Sequence, residues 1–290
     1  MRPWMWTICC ALLMAACGQG QPPDGTPPAM PDGALCVPDP QTHNGLLLAG
    51  SGSNLAATRF LLQRYRAMGH PEALRVAESI GTGGAVRAVM DGVIDVGLAS
   101  RTLSPKETSK GVVQTPMARS VLAFATHRTL GVQALTTQQL LDIYAGRTAR
   151  WPSGEPVVPL LREEGDSGMR AIAARSKTLA EAMSNARRDG RALVFHTDQE
   201  MRDALLAIEG AVGPLDVGII ELEALPIEAL TLDGVQPTAQ EAAAGRYPFT
   251  KSLYWLTDGP PKGQAARFLE FATAPAQRAA LEVHGYLPLP

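Results

Sequence analysis

Gly45-Leu46-Leu47-Leu48-Ala49 runs directly into Gly50-Ser51-Gly52-Ser53-Asn54, after which Leu55, Leu61, Leu62 and Tyr65 are spaced among polar residues. The apolar run reads as a buried strand, the glycine-serine stretch as a tight turn, and the spaced apolar residues as one face of a helix. The unit recurs. Leu74-Arg75-Val76-Ala77-Glu78 ends in Ser79-Ile80-Gly81-Thr82-Gly83-Gly84, and a helix opens there with Val86, Val89 and Met90 on one side. Asp95-Val96-Gly97-Leu98-Ala99 is a third strand, closed by Ser100-Arg101. Strand, glycine-polar turn, helix, strand is the rhythm of an α/β fold with a mostly parallel sheet.

The rest of the chain continues in the same style. Val121 to Ala125 reads as a strand. Thr136 and Gln139 make a capping-box start for a helix through Leu140, Leu141 and Ile143. Val157 to Leu161 is a strand that ends at Arg162-Glu163-Glu164-Gly165-Asp166-Ser167-Gly168, ahead of a helix from Met169. Leu193-Val194-Phe195 is a strand, and Thr197-Asp198-Gln199-Glu200 caps the next helix. Further helices are expected near 238–244, 263–272 and 275–283, with a strand near 250–256.

The chain has 290 residues, 46% hydrophobic and 19% charged, enough to build a core. The formal net charge is −2, and no basic tract or aromatic-basic stripe points to a nucleic-acid partner. Aromatics make up 5%, against 28 Gly and 23 Pro, a balance that suits many short turns better than an all-β sandwich.

The first residues, MRPWMWTICCALLMAAC, place Arg2 before an apolar run too short to span a bilayer in the usual way. They read as a secretory signal over residues 1–16. Leu13-Met14-Ala15-Ala16-Cys17 resembles a bacterial lipobox, which implies cleavage before Cys17 and lipidation there. The alternative is an ordinary signal peptide cut after a small residue. Gly18 is not the Asp that holds many lipoproteins at the inner membrane, which favours the outer membrane or the cell surface. Cys9 and Cys10 would leave with the signal, so Cys36 is the one remaining thiol, and no internal disulfide or zinc cluster is expected. From Cys17 to about residue 42 the chain is rich in Pro and Gly and reads as a disordered tether.

Three turns share one design. Ser53-Asn54, Thr82-Gly83 and Ser167-Gly168 each stand where a strand hands over to a helix. Free backbone N–H groups point outward there, and the helix dipole favours negative charge. Ser, Thr and Asn also cap helices with no ligand at all. Several such turns together, with Arg101 and Arg162 at strand ends, point to an anion site at the strand ends of an open sheet.

The segments Gly50–Asn54, Ile80–Gly84, Asp95–Arg101 and Arg162–Met169 occur in an order that resembles the phosphate-binding proteins of bacterial ABC importers, in the type II periplasmic binding protein superfamily. Gly210-Ala211-Val212-Gly213, Tyr247-Pro248-Phe249 and Gly285 to Pro290 agree, so the similarity spans about 44–290. The resemblance implies a two-lobed fold with mostly parallel sheets and two hinge crossings. Lobe one would be 43–123 plus 227–290, and lobe two 124–226. It implies an oxyanion held between them by Ser53, Asn54, Thr82 and Ser100 on one side and Arg162, Ser167, Gly168 and Met169 on the other, with Arg101 competing with Arg162 as the charged contact. It also implies phosphate or a related oxyanion as ligand, an ABC permease as partner, a monomer, no cofactor or metal, and no catalysis.

Three departures stand out. The family often has Asp where Ser100 stands and Thr-Phe where Asn54-Leu55 stands, and Asp166 looks like one residue inserted into the commoner Arg-x-x-Gly-Ser-Gly-Thr pattern. They keep sulfate open as the ligand. The other reading is an anion-binding sensor or scaffold at the outer membrane or surface, without a transport role. Gly165-Asp166-Ser167-Gly168 also resembles the nucleophile motif of chymotrypsin-like proteases, but that fold is all-β and a helix pattern follows Ser167 here. Gly81-Thr82-Gly83-Gly84 lacks the spacing of a dinucleotide or P-loop fingerprint.

Overall fold

The computed structural model describes residues 45–70 and 73–289. The expectations for the signal, for Cys17, Gly18 and Cys36, and for the tether lie outside those residues. The first part of the chain forms β1 (Leu46–Gly50), α1 (Gly52–Ala67), β2 (Leu74–Ser79), α2 (Gly81–Met90), β3 (Val96–Ala99), α3 (Pro105–Thr108) and β4 (Val112–His127). The middle forms β5 (Ala134–Leu135), α4 (Thr137–Tyr144), β6 (Val158–Arg162), α5 (Ser167–Arg175), α6 (Lys177–Arg188), β7 (Leu193–Phe195), α7 (Asp198–Ala207), β8 (Ala211–Asp216) and α8 (Val217–Leu222). The last part adds β9 (Ile227–Ala229), β10 (Thr231–Leu232), α9 (Ala239–Ala243), β11 (Thr250–Asp258), α10 (Gly263–Thr273) and α11 (Pro275–Glu282).

The fold is a two-lobed α/β arrangement. Among the described residues the main strand path runs β2-β1-β3-β11-β4-β8-β6-β7, with β9 added to β4. β1 pairs parallel with β2 and β3, and β6 pairs parallel with β7 and β8. The sheet is nevertheless mixed rather than mostly parallel. β11 runs antiparallel to β3 and β4, and β4 runs antiparallel to β8 and β9. β4 spans both groups of parallel strands, and β4 and β11 both run against the direction of the βα units beside them. β4 changes partner midway: residues up to Val121 face β11, and those from Leu122 face β8.

Hydrophobic burial follows the same division. One core gathers Leu48, Leu55, Leu61, Leu98, Leu253 and Trp255 beneath α1 and α10, with Phe268 edge-on to Trp255 at 6.3 Å. Another gathers Phe124, Leu140, Tyr144, Leu161 and Leu179, and it also takes in Leu230, Leu232, Ala242, Tyr247 and Phe249. A third layer of Ala125, Leu160, Met201, Leu215, Ile219 and Ile220 receives Ala56 of α1, so the two halves touch through apolar contact behind the cleft. Each fully buried Leu or Phe contributes about 1.5–3 kcal/mol. α8 comes so close to the C-terminal segment that a Cβ on Gly218 would lie 2.2 Å from the Tyr286 ring. Only glycine fits there.

No helix among the described residues is long and apolar enough to cross a membrane.

Candidate functional site

The ends of β1, β2 and β3 and the start of α2 face the end of β6 and the start of α5 across a cavity of about 350 Å³. Ser51, Thr82 and Ser100 line it from one side, and Arg162, Asp166 and Ser167 from the other. Parallel strands deliver their C-terminal ends to one edge, and the helices that follow start there with unpaired N–H groups. The position of the cleft therefore follows from the topology.

Four hydroxyls meet in this cleft. Ser100 Oγ lies 2.8 Å from Ser51 Oγ, 3.3 Å from Thr82 Oγ1 and, across the cleft, 2.7 Å from Ser167 Oγ. The Ser100 N–H donates to Thr82 Oγ1 at 3.1 Å. A hydroxyl can donate or accept, so this chain of contacts can reverse toward an anion without any change of charge.

Charge comes from a buried cluster around it. Arg162 is 5% exposed, and its Nη2 donates to Asp166 Oδ2 at 3.2 Å and lies 3.8 Å from Asp198 Oδ2. Its Nε and Nη1 have no hydrogen-bond partner. Asp166 is the N-cap of α5, and its Oδ1 accepts from the N–H groups of Gly168 at 2.8 Å and Met169 at 3.3 Å. Burial alone would raise the Asp166 carboxyl, but the charges of Lys251 and Arg162 outweigh it and hold it below the ordinary range. Lys251 is fully enclosed. Its Nζ pairs with Asp216 Oδ2 at 2.7 Å, donates to Ser53 Oγ at 2.7 Å and sits 3.8 Å from Asp198 Oδ1. Ser53 Oγ in turn faces both Asp198 oxygens at 3.3 Å, which ties the first helix of one half to the second half. α1 begins so close to Asp198 that a Cβ on Gly52 would stand 2.6 Å from its Oδ2.

The residues singled out from the sequence divide into three groups. Thr82, Ser100, Arg162 and Ser167 line the cavity together. Arg101 also lines it, but its guanidinium is engaged in a two-pronged pair with Glu107 at 2.8 and 2.9 Å, and the hydrogen bond from Arg101 pulls the Glu107 carboxyl down to about 2. Ser53, Asn54, Gly168 and Met169 are turned to internal contacts. The Asn54 amide donates to the carbonyls of Ala99 at 3.1 Å and Tyr254 at 3.3 Å, and its N–H to Ser51, so it braces the turn. The N–H groups of Gly168 and Met169 are taken by Asp166. Asp166 read as an insertion; in the fold it is the helix cap.

Sequence reasoning missed Ser51, Asp198, Asp216 and Lys251. One signal was available: Lys251, Leu253 and Trp255 fall on one face of β11 and all three are buried, so a lone lysine on an inward face called for a buried acid. Asp198 carried no such signal, because its place at the start of a helix already explained it.

A family model described as a PBP superfamily domain matches residues 25–276. The phosphate-binding protein PstS of Bacillus subtilis (strain 168) is 22% identical over 263 residues, covering 89% of this chain and 81% of that protein. A structure from Clostridium perfringens with bound phosphate, assigned as a phosphate ABC transporter substrate-binding protein, is similar with a TM-score of 0.71 at 19% identity. It covers 85% of this chain and 100% of its own. The periplasmic molybdate-binding protein of Azotobacter vinelandii has a TM-score of 0.59 at 13% identity, covering 84% of this chain and 99% of its own. At these identities the solved structures speak for the fold.

Proposed function

The chain belongs to the PBP superfamily, and on that premise we propose that it is an extracytoplasmic binding protein that holds a small oxyanion, phosphate first, between two lobes for ABC-type uptake. The observation that carries this reading is Arg162. A guanidinium buried to 5% exposure, with two N–H-bearing nitrogens unpartnered, lines a cleft of four hydroxyls. A planar, permanently charged donor fork suits an oxyanion, and of the guanidiniums that line the cleft Arg162 is the buried one. A micromolar site needs roughly 8 kcal/mol net. Hydrogen bonds to a charged group contribute about 1.5–3 kcal/mol each. Six to eight of them, less ordering and desolvation costs, reach that without a metal.

Packing favours lobes of 45–121 plus 250–289 and of 122–249, with the second crossing at Phe249–Thr250 rather than near 226. Residues 227–249 bury their apolar side chains with Phe124 and Tyr144. In this reading the protein binds and does not turn over substrate. Ser167 serves as a hydroxyl donor, with Ser100 Oγ at 2.7 Å.

Calorimetry with phosphate and sulfate on the full chain tests the reading. Arg162→Ala is expected to weaken binding about ten- to hundredfold, and Ser167→Ala to weaken it less. Arg101→Ala, whose partner is Glu107, should leave affinity nearly intact. Wild-type affinity in Arg162→Ala would move the site elsewhere. If the wild type binds neither anion, a scaffold role takes its place.

A further inference from the structure

We propose that Asp166 is an internal counter-anion, whose carboxylate holds the place between Arg162 and the N-terminus of α5 that an incoming oxyanion must take, and which thereby sets the affinity of the site. This rests on the reading of the cleft as an oxyanion site.

The contacts of Asp166 are those an anion would make. One oxygen accepts two N–H groups that the start of an α-helix leaves free, those of Gly168 and Met169. The other accepts Nη2 of Arg162. Yet Nε and Nη1 of the same buried guanidinium remain without acceptors. A carboxylate has two oxygens and cannot satisfy both the helix start and the whole fork. A tetrahedral oxyanion has four, and it can reach both together with the hydroxyls of Ser100 and Ser167.

The charges favour exchange. The buried cluster contains Arg162 and Lys251 against Asp166, Asp198 and Asp216. Two positive charges already face three negative ones. A dianion that entered with Asp166 in place would put like charges within a few ångströms of one another in a poorly solvated cleft. Moving Asp166 out removes one negative charge and frees three donors at once.

The local chain permits that movement. Glu163, Glu164 and Gly165 are exposed, and Gly165 has a φ of +87°, so the loop turns at a residue with no side chain to resist it. Arg170 lies four residues along α5 from Asp166, the spacing of a helical ion pair. Its Nη2 is 3.4 Å from where a Cβ on Gly165 would be. It is placed to receive the displaced carboxylate. The exchange also sets selectivity, because a ligand must offer more charge or more acceptor oxygens than the carboxylate it replaces.

The test is calorimetry of the full chain with inorganic phosphate, comparing the wild type with Asp166→Ser and Asp166→Asn. Serine is a favoured N-cap, so the helix start is kept while the charge is lost. Asparagine keeps the shape. Thermal melts check that each variant is folded. Both variants are expected to bind phosphate at least about tenfold tighter than the wild type. Arg170→Ala is expected to weaken binding in the wild type and to have no effect in the Asp166→Ser background. If the wild type binds and both variants bind equally or more weakly, the inference is overturned and the oxyanion reading stands. If only the variants bind, the inference is supported in its strongest form. If none binds, both fall.

Discussion

At Lys251 the ammonium is enclosed among Asp216, Asp198 and Ser53, with Asp216 held in turn by the Ser120 hydroxyl at 2.8 Å. Burial alone would lower the Lys251 pKa, but the carboxylates of Asp216, Asp198 and Asp166 outweigh it and raise it above the ordinary value. A raised folded-state pKa contributes stability that is complete below the unfolded value of about 10.4 and is lost as pH rises through the folded value. Replacing the lysine leaves buried carboxylates without their counter-charge, a loss of about 3–5 kcal/mol. Urea denaturation at neutral pH should therefore show Lys251→Met strongly destabilised. A second change, Asp216→Asn, should recover part of that loss by removing the stranded charge. A midpoint for Lys251→Met equal to that of the wild type would mean that the pair carries no stability. Residue by residue, Thr82, Ser100, Ser167 and Arg162 were legible in the sequence because strand-end turns are local. Asp216 was not, because nothing near it reveals that Lys251 lies opposite.

Elements decide which of these side chains face one another. Ser100 follows β3 in one half, and Ser167 opens α5 in the other, yet their hydroxyl oxygens are 2.7 Å apart. Two cysteines in those places should come within reach of a disulfide. The double variant Ser100→Cys/Ser167→Cys is expected to oxidise spontaneously, to lose phosphate binding, and to regain a free cleft on reduction. Mass spectrometry and calorimetry with and without dithiothreitol read this directly, and failure to crosslink would mean that β3 and α5 do not meet in solution. The boundaries of β1, β2, β7 and β11 and the capping boxes at Thr136 and Thr197 followed the apolar spacing and the cap residues. β4 did not. Val121 to Ala125 was visible as its apolar stretch, but residues 112–120 include Pro116 and polar positions that hide a strand held by its pairing with β11.

Across the whole molecule the long strand β4 links the two halves, pairing first with β11 and then with β8, and the contacts of Ser53, Ser100 and Gln199 bridge the cleft. The lipidation expected at Cys17 is open to a direct test. Cells fed a palmitate analogue should label the wild-type chain in the membrane fraction and leave Cys17→Ser unlabelled, and equal labelling would exclude the lipid anchor. The strand-turn-helix rhythm and the hydroxyl-bearing turns were determined by the sequence itself, because hydrophobic spacing and turn chemistry act over a few residues. The partners of Asn54 and Lys251 were decided by tertiary structure alone. The Asn54 amide reached Ala99 and Tyr254, and Lys251 met Asp216 and, across 198 residues of chain, Ser53. A buried charge takes whichever counter-charge the crossing strands bring within a few ångströms, and that distance exists only once the two halves have folded together.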